Sequence, residues 1–185
     1  MSRIDESRPF IQLKIAVLTV SDTRSLDEDR SGATLADRIA RDGHILADRK
    51  IVTDDVPAIR DVVKAWIADE AIDVVISTGG TGFTGRDVTP EAIEPLFEKR
   101  MDGFSTVFHQ ISYEKIGTST IQSRATGGVA NATYLFALPG SPGACKDAWD
   151  GILKWQLDYR HMPCNFVEIM PRLAEHLKRG GGKSA

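Results

Sequence analysis

The sequence predicts a three-layer α/β/α domain built on a mainly parallel sheet. Two observations carry that expectation. Short, nearly continuous apolar runs of strand length alternate with segments of helical periodicity. Four of those runs end in a polar or glycine-rich cluster, as strands do where a parallel sheet presents its carboxyl ends.

The elements follow in order. The start, residues 1–12, carries Arg3, Asp5, Glu6 and Arg8 with no apolar leader-like run and is expected to be loose. Leu13 to Val20 is short, β-branched and continuous, the pattern of a strand buried on both faces. Ser31 to Arg41 reads as a helix, with Leu35 and Ile39 one turn apart and Gly43 as its stop. Ile45 to Thr53 is a second, more polar strand nearer an edge. Ile59, Val62, Val63, Trp66 and Ile67 then share one helical face; Asp54 or Asp55 can cap that helix, with Pro57 in its first turn. Ile72 to Thr78 is a third strand. Pro90 to Phe97 and Gly103 to Tyr113 are predicted helices, and Thr118 to Arg124 a strand. Tyr134 to Leu138 is a strand and Pro142 to Leu157 a helix. The tail 178–185 is glycine-rich and polar, and is expected to be disordered. Residues 13–177 then form one domain.

At 185 residues, 42% apolar and 26% charged, the chain suits a single globular domain with a sizeable core. The formal charge of −3 leaves no broad basic face, which argues against a protein held on nucleic acid by phosphate contacts. No apolar run approaches the roughly 20 residues of a membrane span. Cys145 and Cys164 make neither a disulfide framework nor a metal quartet. They fit a reducing compartment, the cytoplasm.

Parallel strands bring their carboxyl ends to one edge. The clusters Ser21-Asp22-Thr23, Asp54-Asp55, Gly79-Gly80-Thr81-Gly82 and Pro139-Gly140-Ser141 should therefore converge there. The glycine run can expose backbone N–H groups to a phosphate, or it can be a plain turn. Gly80 to Gly85 matches G-x-G-x-x-G literally. It follows the third strand rather than the first, however, and no acidic strand end follows it, so a nicotinamide-dinucleotide site is disfavoured. A Walker loop fails because Gly85 precedes Arg86 and Asp87. Asp54 and Asp87 beside a phosphate pocket would repel it unless a cation such as Mg²⁺ bridges them; each can also be a cap or turn residue. Ser141 can cap the late helix, whose free N–H groups also suit an anion. Thr89 can cap the helix that Pro90 opens and so fix Asp87. Arg24, Arg86, Lys115 and Arg124 are candidates for charge-assisted contacts to an anion. The four histidines are scattered, without zinc spacing.

The run Ser77-Thr78-Gly79-Gly80-Thr81-Gly82-Phe83, followed by Arg86-Asp87-Val88-Thr89-Pro90-Glu91, resembles the signature of the molybdopterin-binding family. That family contains molybdopterin adenylyltransferases, the related cofactor-insertion domains and the bacterial molybdenum cofactor biosynthesis proteins. Further matches are Leu18 to Asp22, Asp29-Arg30-Ser31-Gly32, Ile51 to Asp55 and Leu138 to Ser141, so the resemblance runs from about Lys14 to Phe166. Ile116 to Ala125, Gly128 to Asn131 and Met162 to Phe166 resemble the protein B branch in particular. The resemblance implies a Rossmann-like three-layer fold, a homotrimer or hexamer, molybdopterin as substrate, and Mg²⁺ with ATP as cosubstrate. It implies that Asp54 and Asp87 match the family's catalytic aspartates and hold the metal. Ser21, Asp22, Gly79, Gly80, Thr81, Gly82, Gly140 and Ser141 would line the phosphate and substrate pocket. The implied reaction adenylylates molybdopterin and releases pyrophosphate; a non-catalytic molybdopterin binder or carrier is the alternative.

Overall fold

The computed structural model describes residues 3–175. Its strands and helices run β1 (Arg3–Ile4), β2 (Lys14–Val20), α1 (Arg30–Arg41), β3 (Ile45–Val52), α2 (Val56–Ala68), β4 (Val74–Thr78), α3 (Thr89–Ile93), β5 (Lys99–Arg100), α4 (Asp102–Ile116), β6 (Thr126–Ala130), β7 (Thr133–Leu138), α5 (Pro142–Ala148), α6 (Lys154–Gln156), β8 (His161–Met162) and α7 (Phe166–Ile169). Six strands form one sheet in the order β3-β2-β4-β7-β6-β5. The β2–β3, β2–β4 and β4–β7 pairs are parallel, whereas β6 runs antiparallel to both β7 and β5.

The strands alternate between two cores. Ile15 and Val17 of β2 pack with Leu35, Ile39, Phe104, Phe108 and Trp149 under α1, α4 and α5. Ala16 and Leu18 face the other way, against Ile59, Val63 and Trp66 of α2 and Ile93 of α3. Burial on both faces explains why β2 and β4 read as unbroken apolar runs. The sheet order also fixes a switch point. The chain leaves β2 for β3 on one side, then crosses back to place β4 on the other. In sheets of this kind ligand crevices form at the carboxyl ends, where two such connections diverge.

Several expectations change. The start expected to be loose is tied down where Arg3–Ile4 pairs with His161–Met162, and Asp5 N–H donates to the Arg160 carbonyl (2.8 Å). The strand expected over 118–124 is instead a 3₁₀ turn, Gly117–Gln122, ending in extended chain. Its β-branched residues suggested a strand, but Ile121 is exposed and no strand among the described residues pairs with it. The strand of that region lies further on, at β6. The helix expected from Pro142 to Leu157 is interrupted by a π turn at Trp149–Leu153. Gly151 sits in that turn, where a Cβ would lie 2.8 Å from Ile111 Cδ1. The tail 178–185 lies outside the described residues.

Candidate functional site

The parallel register aligns the strand ends. Val20 pairs with Val52, Thr19 with Thr78, and Thr78 with Leu138. The four expected clusters therefore leave the sheet along one edge, and side-chain and backbone contacts tie them together. The Asp54 amide donates to Asp22 Oδ1 (3.1 Å), joining the first and second loops. The Gly79 amide donates to the Leu138 carbonyl (3.0 Å), and Thr78 Oγ1 donates to the Pro139 carbonyl (2.9 Å), joining the third and fourth. A Cβ on Gly140 would lie 3.1 Å from Gly79 Cα, so these loops touch backbone to backbone. A Cβ on Gly80 would meet Asp54 Oδ1 at 2.9 Å, joining the second and third. Arg24 Nη1 reaches from the first loop to the Gly140 carbonyl (3.3 Å).

The glycine loop takes a backbone path that other residues resist. Gly79 and Gly80 hold φ of +104° and +62°, the left-handed region where other residues are strained. Thr89 does not cap α3; its hydroxyl donates to the Gly79 carbonyl (2.8 Å) and its amide to the Gly80 carbonyl (2.9 Å). These bonds pin the loop's carbonyls inward. The Gly79 amide is used within the sheet and the Gly82 amide on Asp87, whereas the amides of Gly80, Thr81, Gly140 and Ser141 donate to no group among the described residues. Those four N–H groups have no acceptor of their own among those residues.

The acidic residues divide by role. Asp55 caps α2, accepting from the Ala58 amide (3.0 Å), so the cap choice left open by the sequence falls on Asp55, and the Asp54 carboxyl takes no part in capping the helix. Burial pushes the Asp54 carboxyl above its ordinary value, and the charges of Asp22 and Asp87 add to this while Arg86 partly offsets it. Asp87 is more engaged: its carboxylate accepts from the Thr84 amide (2.9 Å), the Thr84 hydroxyl (2.6 Å) and the Gly82 amide. Burial opposes its ionisation, but those bonds and Arg124 outweigh it and hold it below the ordinary range. Asp22 is ion-paired with Arg86 across the mouth of the site. Ser21 accepts from the Thr23 amide (3.3 Å), and Ser141 caps α5 by accepting from the Ala144 amide (3.1 Å).

Of the four candidate cations, Arg24 and Arg86 stand at the edge. Lys115 pairs with Asp147 on α5, away from the four loops. The Arg124 guanidinium is committed to carbonyls of the glycine loop. Asp29, which the sequence shows only as part of a family-like run, caps α1. Its side chain is fully buried at the start of α1, where it accepts from Thr19 Oγ1 (2.7 Å), the Gly32 amide (2.8 Å), Ser31 Oγ (3.1 Å) and Arg49 (2.8 Å). Its signal was an acid placed three residues before Gly32, ahead of a helical run. A groove of about 620 Å³ lies elsewhere, between α4 and the segment carrying Trp155 and Met162; it contains none of these residues.

A family model described as "Probable molybdopterin binding domain" matches residues 16–159. The chain belongs to this molybdopterin-binding family. Its relatives include molybdenum cofactor biosynthesis protein B of Escherichia coli (strain K12), 51% identical over 160 residues, covering 86% of this chain and 94% of the relative. The protein of the same name from Bacillus subtilis (strain 168) is 44% identical over 142 residues, covering 76% and 84%. A crystal structure of a molybdenum cofactor biosynthesis protein B superposes with a TM-score of 0.78 at 34% identity, covering 93% of this chain and 99% of that one. Membership places the chain in molybdenum cofactor biosynthesis. The family match spans all four strand-end loops.

Proposed function

We propose that the chain binds molybdopterin and adenylylates it at this edge, as a cytoplasmic homotrimer or hexamer. An oxygen of the terminal phosphate of molybdopterin attacks the α-phosphorus of ATP. A new P–O bond forms, the bond between the α-phosphorus and the β-phosphate breaks, and pyrophosphate leaves with the electron pair. The observation that carries this reading is the union of four free backbone N–H groups with the Asp54 and Asp87 carboxylates at one switch point. Transfer at phosphorus needs mainly in-line positioning and charge neutralisation. The amides of Gly80, Thr81, Gly140 and Ser141 supply donors for phosphate oxygens, and Arg24 and Arg86 supply positive charge at the rim.

The donor set fits Mg²⁺. No group of three His, Cys, Asp or Glu residues among the described ones is placed to hold a metal alone. Two carboxylates with phosphate oxygens and water complete a Mg²⁺ shell without a third. The upward-pushed Asp54 carboxyl, crowded by Asp22 and Asp87, is the group a cation would relieve. Asp54 and Asp87 would hold the ion, which when bound neutralises charge on the phosphates.

One observation favours the carrier reading: three donors already satisfy the Asp87 carboxylate, which lowers its pull on a metal. A pyrophosphate-release assay with molybdopterin, ATP and Mg²⁺ separates the two. Release that depends on both substrates supports adenylylation; molybdopterin binding without release makes the chain a carrier.

A further inference from the structure

The glycine loop is gripped from two sides, and one grip comes from a residue far along the chain. Arg124 follows the 3₁₀ turn Gly117–Gln122 and lies beneath the loop. Its Nε donates to the Gly82 carbonyl (2.9 Å) and, more weakly, to that of Thr81 (3.3 Å); Nη2 donates to the Asp87 carbonyl (2.9 Å). Its own amide donates to the Thr81 carbonyl (3.0 Å). Nη1 is ion-paired with Glu91 on α3, which anchors the fork from behind. The Phe83 ring, 69% exposed, lies 5.6 Å from the guanidinium carbon.

A peptide unit is planar, with N–H and C=O pointing in opposite directions. A guanidinium that gathers the carbonyls of residues 81, 82 and 87 therefore turns the amides of residues 82, 83 and 88 away from itself, just as Thr89, which holds the Gly79 and Gly80 carbonyls, turns the amides of Gly80 and Thr81. The Asp87 carboxylate then takes the Gly82 and Thr84 amides from the far side. The segment 81–87 is thus wedged between Arg124 on its carbonyl side and Asp87 on its amide side. A lysine carries the same charge but lacks the planar fork that reaches three carbonyls and a carboxylate together.

The geometry points to Arg124 as a positioning residue for the anion site, acting through the stretch from Thr81 to Asp87, which closes the glycine loop and carries the Asp87 carboxylate, rather than by touching the ligand. This deepens the adenylylation reading and rests on its anion cradle. It also corrects the expectation that Arg124 contacts an anion directly.

The test is calorimetric titration of the full chain with inorganic pyrophosphate and Mg²⁺. It compares the unsubstituted protein with Arg124→Lys and Arg124→Ala, the latter with and without millimolar guanidinium. Both variants should weaken pyrophosphate binding about tenfold or more, the scale of a lost charge-assisted bond. Guanidinium should restore most of the affinity to Arg124→Ala and none to Arg124→Lys, whose ammonium fills the cavity. Glu91→Gln, which frees one branch and leaves the carbonyl bonds, should weaken binding less and keeps the proposal testable if Arg124→Ala melts early. Undiminished affinity in Arg124→Lys, or a folded Arg124→Ala that guanidinium does not restore, overturns the proposal. An unsubstituted protein that ignores pyrophosphate overturns the cradle reading, and this proposal with it, before any variant is compared.

Discussion

Replacing Gly80 by alanine perturbs the site and the fold by an amount that the geometry sets. Gly80 has φ of +62°, and the new Cβ would lie 2.5 Å from Thr89 Oγ1, 2.9 Å from Asp54 Oδ1 and 3.3 Å from Val20 Cγ1. The left-handed backbone costs an alanine about 1 kcal/mol. Forcing a methyl into a packed position costs about 1–3 kcal/mol more, because Thr89 is buried and bonded to Gly79 and cannot simply turn aside. The sum of about 2–4 kcal/mol corresponds to a loss of about 4–16 °C in melting temperature for a chain of this size. Gly85→Ala is the internal control, since nothing lies within 4 Å of its Cβ and its φ is not positive. It should stay within about 0.5 kcal/mol of the parent. Thermal unfolding by circular dichroism reads both. Gly80→Ala should also weaken Mg²⁺-ATP binding, because the Asp54 carboxyl is displaced. If the two variants melt together, the close approach of Gly80 to Asp54 and Thr89 is wrong.

Other outcomes follow from the same contacts. Asp54 has a carboxyl raised by burial and by Asp22 and Asp87, so its contribution to stability is present at low pH and lost as pH rises through its folded value. Asp54→Asn should therefore melt higher than the parent at neutral pH without added metal and lose that advantage in acid, while its pyrophosphate release collapses; a lower neutral melting point would contradict this. Asp29 behaves in the opposite sense. Burial opposes its ionisation, but Arg49, the Gly32 amide, Thr19 and Ser31 outweigh it and lower its carboxyl. The stability it supplies is present above the unfolded value near 3.8 and fades as pH falls through the folded one, so Asp29→Asn should flatten the acid limb of a stability–pH curve. Ser141→Ala removes the α5 cap and should cost about 1 kcal/mol in urea unfolding, and no loss at all would deny the cap.

The convergence of the four loops was legible because it needs only strand order and direction, and continuous β-branched runs reveal parallel strands. The Asp54 and Asp55 choice was not legible: both can cap, and only the tertiary approach of Asp54 to Gly80 separates them. Strand β6 was hidden by its composition. Gly127 and Gly128 weaken any strand pattern, yet they are required because the Phe136, Phe104 and Phe97 rings occupy the space where their side chains would be. Arg124 was visible as a charge inside a family-like run, without its partners. Its carbonyl partners lie some 40 residues earlier in the chain, and no local pattern records such a bond.

The central claim is that loops 21–22, 54–55, 79–82 and 140–141 form one anion site. Amide hydrogen exchange with and without Mg²⁺-ATP tests it most directly. The account predicts that ATP slows exchange at Gly80, Thr81, Gly140 and Ser141 together, with smaller protection at Ser21, Asp22 and Asp54. Protection confined to the groove beside Trp155 and Met162, with these four amides unchanged, would contradict it.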